Sequence, residues 1–241
     1  MLAAVLLAAM LGLIVANCRN ARGFSAKLAD LIGRTSRKRA VFGWAAGTAI
    51  YFGWTSVMAL LLMGRGDAIV TMPVELQVAA WRLGLPGYAA PGDVRWLLLC
   101  LCGGVVLGLV ALLILRRMGR APAGIRYRSP AAVRGPSEWP GAVALSLAAG
   151  IGEELFFRLT LPLLVAIVTG SGLAGFAVGL VAFGASHRHQ GWAGILATGL
   201  VGAFLTGLYL LTGQLWLAML VHVVIDLNAL VLRPMLFPVR E

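Results

Sequence analysis

The chain has 241 residues, 60% of them hydrophobic and only 12% charged, with a mean hydropathy of +0.91. A water-soluble domain of this length does not read that way, and several long apolar runs between charged loops indicate a polytopic helical membrane protein. The formal net charge of +11 would suggest nucleic acid in a soluble protein, but the arginines gather in two loops between apolar runs, so no nucleic-acid partner is expected and the bilayer is.

In chain order, Leu2 to Ala16 is a short apolar segment with no basic residue ahead of it; a cleaved secretory signal requires a positive start, so a first span is expected. The loop from Asn17 to Arg39 carries Arg19, Arg22, Lys27, Arg34, Arg37, Lys38 and Arg39 against a single Asp30, which places it in the cytoplasm by the positive-inside rule. Val41 to Met63 reads as the second span. Gly64 to Asp93 is a more acidic outer loop, whose Met72-to-Leu85 part has the pattern of an interfacial segment anchored by Trp81. Val94 to Leu115 is the third span, followed by a second arginine-rich loop that includes Arg126 and Arg134. Four further runs, Pro140–Val168, Gly172–His187, Trp192–Leu211 and Leu215–Leu232, complete an all-α bundle of about seven spans. The charge bias sets its N-terminus outside and its C-terminus in the cytoplasm. No repeat or linker divides the chain, so 1–241 is read as one membrane domain. The pairs Gly43/Gly47, Gly104/Gly108, Gly175/Gly179 and Gly199/Ala203 are expected where helices approach closely. Pro162 is expected to kink its span, because it cannot donate to the carbonyl of Arg158. Cys18, Cys100 and Cys102 have neither a disulfide nor a metal spacing.

Chemistry concentrates in the last four runs. Glu153, Glu154 and Arg158 stand inside an apolar run, where each charge costs roughly 2.5–3.5 kcal/mol to insert near the centre. Glu154 and Arg158 are i, i+4 and about 40° apart, so they can pair, while Glu153 points about 100° away and is left to face another helix. His187 closes the next run, and His222 and Asp226 are i, i+4 on the last; His189, about 200° from His187, is read as a loop residue. Glu153 and His187 are equally far from the turn at Gly170, which at 1.5 Å per residue puts both about 25 Å below it. Asp226 and His222 lie about 20 and 14 Å below the turn at Gly213 by the same reasoning. One buried pair is ordinary interhelical glue; six ionisable groups at compatible depth point to a functional site.

Three ordered motifs carry a resemblance: Glu153-Glu154-Leu155-Phe156-Phe157-Arg158 matches EExxxR, Phe183 to His187 matches FxxxH, and His222 to Asp226 matches HxxxN/D. In this order they resemble the CAAX protease and bacteriocin-processing family of intramembrane endopeptidases, also called the Abi family. The resemblance covers 140–232, taken as the catalytic core, with 1–139 as accessory spans. It implies hydrolysis of a peptide bond in a membrane-associated or CAAX-like substrate, within a cell membrane, presumed bacterial and cytoplasmic. Glu153 would be the general base that activates water, His187 would hold that water, His222 and Asp226 would face the oxyanion, and Glu154 and Arg158 would orient the site. Asp226 stands where prenyl-processing members commonly have Asn.

No cofactor is required in this reading. The alternative is a zinc ion on Glu153, His187 and His222, since three protein ligands and an open position suit catalytic zinc; HExxH is absent from the sequence. Two other classes stay open: a proton-coupled transporter using the same charges as a relay, and a non-catalytic scaffold or immunity protein.

Overall fold

A bilayer leaves backbone N–H and C=O groups no water to bond, so a spanning segment must satisfy them internally, and the long apolar runs are accordingly helical. The computed structural model describes residues 1–19, 31–33, 36–120 and 129–237, with the side chain of Asn17 left aside. The basic residues Arg22, Lys27, Arg34, Arg126, Arg128 and Arg240 lie outside the described residues. The elements are α1 (Leu2–Arg19), α2 (Arg37–Leu62), α3 (Val74–Arg82), α4 (Pro91–Arg117), α5 (139–169), α6 (Gly172–Ser186), α7 (Gly191–Thr212) and α8 (Leu215–Leu236). No strand occurs among the described residues.

Among the described residues four helices are long and apolar enough to cross a membrane: α2, α4, α8, and α7 together with the turn before it, Arg188–Thr212. Leu2–Ala16 in α1 and Gly172–Ser186 in α6 are apolar but shorter. Helices of this length and apolarity make the chain an integral membrane protein.

α5 is the hub. Its first half packs on α2 and α8, and its second half on α6 and α1. Apolar side chains gain little by leaving lipid for protein, so close packing of small residues has to bring these helices together. A Cβ on Gly150 would lie 2.5 Å from Val223 of α8, one on Gly175 2.3 Å from the Pro162 carbonyl oxygen, and one on Gly179 2.5 Å from that of Phe157. The other expected contacts do not form. Among the described residues Gly47, Gly104, Gly108 and Gly199 meet no neighbouring atom within 4 Å, and Gly43 meets the Leu31 side chain at 4.0 Å. Small-residue spacing marks a face that can be approached, not the presence of a partner.

α5 accommodates Pro162 differently from a simple kink. Leu155–Thr160 forms a π-type turn, in which the Leu161 N–H reaches back to the Phe156 carbonyl, so the backbone widens just ahead of the proline. Similar turns occur at Ala49–Trp54 in α2 and Asn228–Leu232 in α8.

The two ends of the bundle are chemically distinct. At one end Arg37 donates to Glu138 (3.0 Å) and to the Ala132 carbonyl (2.6 Å), and the Val133 N–H donates to the Leu230 carbonyl (2.9 Å). Ala131, Ala132 and Val133, read from sequence as loop, are buried as a wedge among α2, α5 and α8. At the other end α3 buries Leu76, Ala79 and Ala80 and leaves Val74 and Trp81 exposed. There Gly172 abuts the Glu75 carbonyl, Gly213 abuts that of Gly87, and Arg65 forks onto Glu75 at 2.8 and 2.9 Å.

Candidate active site

The six expected polar residues come from three parts of the bundle. α5 supplies Glu153, Glu154 and Arg158; His187 ends α6; α8 supplies His222 and Asp226. Gly150 lets α8 lie directly against α5, which brings His222 into reach of Glu154 although 68 residues separate them.

The Glu154 carboxylate is the centre of the cluster. It is fully buried, as is Arg158, and its Oε1 lies 3.0 Å from Arg158 and 2.7 Å from His222 Nδ1. A carboxylate bonded in this way accepts, so Nδ1 of His222 carries the proton and Nε2 is the nitrogen left for other work. That Nε2 stands 3.9 Å from Asp226 Oδ2, beyond hydrogen-bond length. Arg158 is held on two further sides. It lies over the Phe183 ring at 4.1 Å and points one nitrogen to the Gly202 carbonyl at 3.4 Å; a buried guanidinium over an aromatic face gains a favourable cation–π term. Phe183 also stacks edgewise towards His222, with centroids 6.0 Å apart, and lies 4.8 Å from the His187 ring. One phenylalanine therefore spaces three polar groups.

Glu153 differs from its neighbour. Like Glu154 Oε2, its Oε2 is buried without a hydrogen-bond partner among the described residues, but unlike Glu154 it has no ion pair there on its other oxygen, and the charges acting on it are those of His222, Arg158 and Glu154. His187 uses Nδ1 to bond the Phe183 carbonyl at 2.9 Å. A carbonyl only accepts, so that nitrogen is the donor and Nε2 keeps its lone pair when the ring is neutral. The charges acting on His187 are those of His222, Asp226 and Arg158. The six expected residues thus form one electrostatic cluster, with His222 and Arg158 shared by its two halves. His189 is also near, with its ring 6.0 Å from that of His187.

Three features of this arrangement escaped the sequence reading. The Glu154–His222 bond joins distant segments and leaves no periodic trace. Gly202 acts through its backbone carbonyl and differs from other glycines of α7 in no local way. Phe183 was noticed only as a motif letter; its position four residues before His187 was the available signal.

The alternative zinc set on Glu153, His187 and His222 is not brought together: among the described residues no group of three His, Cys, Asp or Glu side chains is gathered so as to hold a metal ion. The bonds from Nδ1 of His187 and His222 leave Nε2 of each ring as the nitrogen that could face a ligand or water.

Comparison with known proteins gives one positive result. Residues 135–228 match the model of a family described as type II CAAX prenyl endopeptidase Rce1-like. No curated protein and no solved structure matches the chain. The matched segment begins just before α5, ends within α8, and contains all six residues of the cluster. Residues 135–228 are thus similar to the Rce1-like family of type II CAAX prenyl endopeptidases, in agreement with the resemblance carried by the three motifs.

Proposed function

We propose that the protein is an intramembrane endopeptidase with seven spans, its N-terminus outside and C-terminus in the cytoplasm, which hydrolyses a peptide bond of a membrane-associated or CAAX-like substrate. The observation that carries this reading is the pair of unequal glutamates: each has one buried oxygen without a hydrogen-bond partner, but Glu154 is held through its other oxygen by Arg158 and His222, while adjacent Glu153 has no ion pair among the described residues. A buried, unsatisfied carboxylate is costly to keep, and it is the form a general base takes before its water arrives.

In this mechanism Glu153 removes a proton from water as the oxygen attacks the scissile carbonyl carbon. The lone pair on His187 Nε2 accepts the water's second hydrogen as a hydrogen bond and fixes its direction. His222 Nε2, in its protonated form, and Asp226, as a carboxylic acid, donate to the oxygen that becomes negative, in a site where water competes poorly. Collapse of the tetrahedral intermediate breaks the C–N bond, and the proton held by Glu153 passes to the leaving amine. Glu154 and Arg158 do not touch the reacting atoms; they hold His222 in one tautomer and orientation.

The test is Glu153→Gln, which keeps the volume and removes the base. Comparative proteomics of membranes carrying the wild type or the variant identifies cleaved substrates, and the purified protein in liposomes should then cleave a peptide from one of them. The variant should lose at least about 10²-fold in rate, the usual lower scale of general-base catalysis. Full activity in Glu153→Gln would remove Glu153 from the role. Solute flux through the same vesicles without cleavage would identify a transporter instead.

A further inference from the structure

α2 and α5 border an open groove of about 440 Å³ lined by Ala49, Ile50, Gly53, Trp54, Leu147 and Ile151, among others. All its lining residues are apolar, glycine or tryptophan. The two helices run in parallel and are pinned at both ends of this stretch. Gly141 packs on Val41 towards the basic end, and Gly152 packs on the Gly53 backbone higher up. The π-type turn Ala49–Trp54 of α2 contains the second contact, and the groove runs across it, from Ala49 and Leu147 on one side to Val57 and Leu155 on the other. Ile50, Trp54, Leu147 and Ile151 remain exposed although two helices flank them.

From the arrangement of groove and charge we infer that this groove binds one acyl chain of an anionic phospholipid. Its volume lies within the range of small-ligand sites, but it offers no polar anchor, so its occupant must be a hydrocarbon. The bilayer supplies hydrocarbon chains at that depth. The anionic headgroup is indicated by the foot of α2, where Lys38 and Arg39 are exposed. Arg39 is eleven residues before Ile50, about 16 Å along the axis at 1.5 Å per residue, a distance that one extended acyl chain bridges. Basic side chains at the membrane surface attract anionic headgroups. Neighbouring Arg37 is already engaged by Glu138, which leaves this role to Lys38 and Arg39. The site is independent of the proteolytic reading, although Gly152 in its wall adjoins Glu153.

The experiment uses the full chain in liposomes containing phosphatidylglycerol with a photoreactive diazirine on its acyl chain. Labelled residues are mapped by mass spectrometry and compared with Leu196, Leu200 and Phe204, which form an ordinary exposed surface on α7. Labelling at Ile50, Trp54, Leu147 and Ile151 should exceed the α7 level several-fold and fall on addition of unlabelled phosphatidylglycerol. Ala49→Phe and Ala148→Leu, which fill the groove from either wall, should each bring it down to the α7 level in folded protein. Arg39→Gln should reduce labelling by the phosphatidylglycerol probe and leave a phosphatidylcholine probe unaffected. Equal labelling of groove and α7 in the wild type would overturn the inference without recourse to any variant. Equal labelling by both probes would reject the anionic headgroup, and protein–protein cross-links through the groove would show a second copy as its occupant.

Discussion

Glu154 and Glu153 are chemically identical neighbours that the fold has made opposites, and the difference can be measured. Replacing Glu154 by Gln keeps an oxygen that can still accept from His222 but removes the charge that balances Arg158, which is 1% exposed. Breaking a buried ion pair by neutralising one member typically costs about 3–5 kcal/mol, because the other charge stays behind. Glu153→Gln deprives no partner of its bond, since Oε2 has none, and should change stability by less than about 1 kcal/mol. Thermal unfolding of the two variants in the same detergent should therefore separate them clearly, with Glu154→Gln the weaker fold. Equal melting would show that Glu154 does not carry the structural load. The i, i+4 pairing of Glu154 with Arg158 was legible because both lie on one helix with a known period. The second partner, His222, was not, because only the α5–α8 packing through Gly150 decides which α8 side chain arrives there.

At the scale of elements, helices were easy to find and their faces were not. Hydropathy marks the apolar runs, yet it cannot say that α4 buries none of its residues, nor that 131–133 becomes a wedge. α3 shows what a short element needs in order to stay in place. Its nine residues are too few for an independent helix, so it depends on Leu76, Ala79 and Ala80 against the bundle and on Arg65 holding Glu75. The hydrogen bonds from Arg65 hold the Glu75 carboxyl below the usual carboxylate range, despite an opposing effect of partial burial. A carboxyl whose folded value lies below its unfolded one, about 4.3 for Glu, stabilises the fold above the unfolded value. That contribution disappears as pH falls through the folded value. Acidification should therefore loosen α3 before the rest of the bundle. A cysteine introduced at Val78 should react with a membrane-impermeant reagent faster as pH drops below about 4.3, after correction for thiolate content with a free-thiol standard. In a Glu75→Gln background the corrected rate should no longer depend on pH; a persisting dependence would assign the effect elsewhere.

For the whole molecule, the question is which way the bundle faces, because that decides from which compartment a substrate reaches the cluster. The packing already fixes which ends lie together. Arg37, Glu138 and the wedge at 131–133 share one end with the close of α8, while Arg65, Glu75 and the turns at Gly172 and Gly213 share the other. α1 agrees with this grouping: Cys18 near its end lies within the field of Arg188, which follows α6. The positive-inside rule predicts that the Arg37 end is cytoplasmic, since Arg19, Lys38, Arg39, Arg116, Arg117 and Arg233 all belong to helix ends on that side. Glu153 lies fourteen residues into α5 from Trp139 at that end, about 21 Å at 1.5 Å per residue, whereas Asp226 is closer to it, ten residues before the close of α8 at Leu236 and so about 15 Å away. Single cysteines at Ser36 and Met118 should react in intact cells only with permeant reagents, and one at Pro86 with impermeant reagents as well. The native thiols Cys18, Cys100 and Cys102 are replaced by Ala or Ser for this purpose. Because the packing ties both ends together, the labels must invert as a set: impermeant labelling of Met118 with protection of Pro86 would reverse the protein in the membrane, and with it the compartment from which Asp226 is approached.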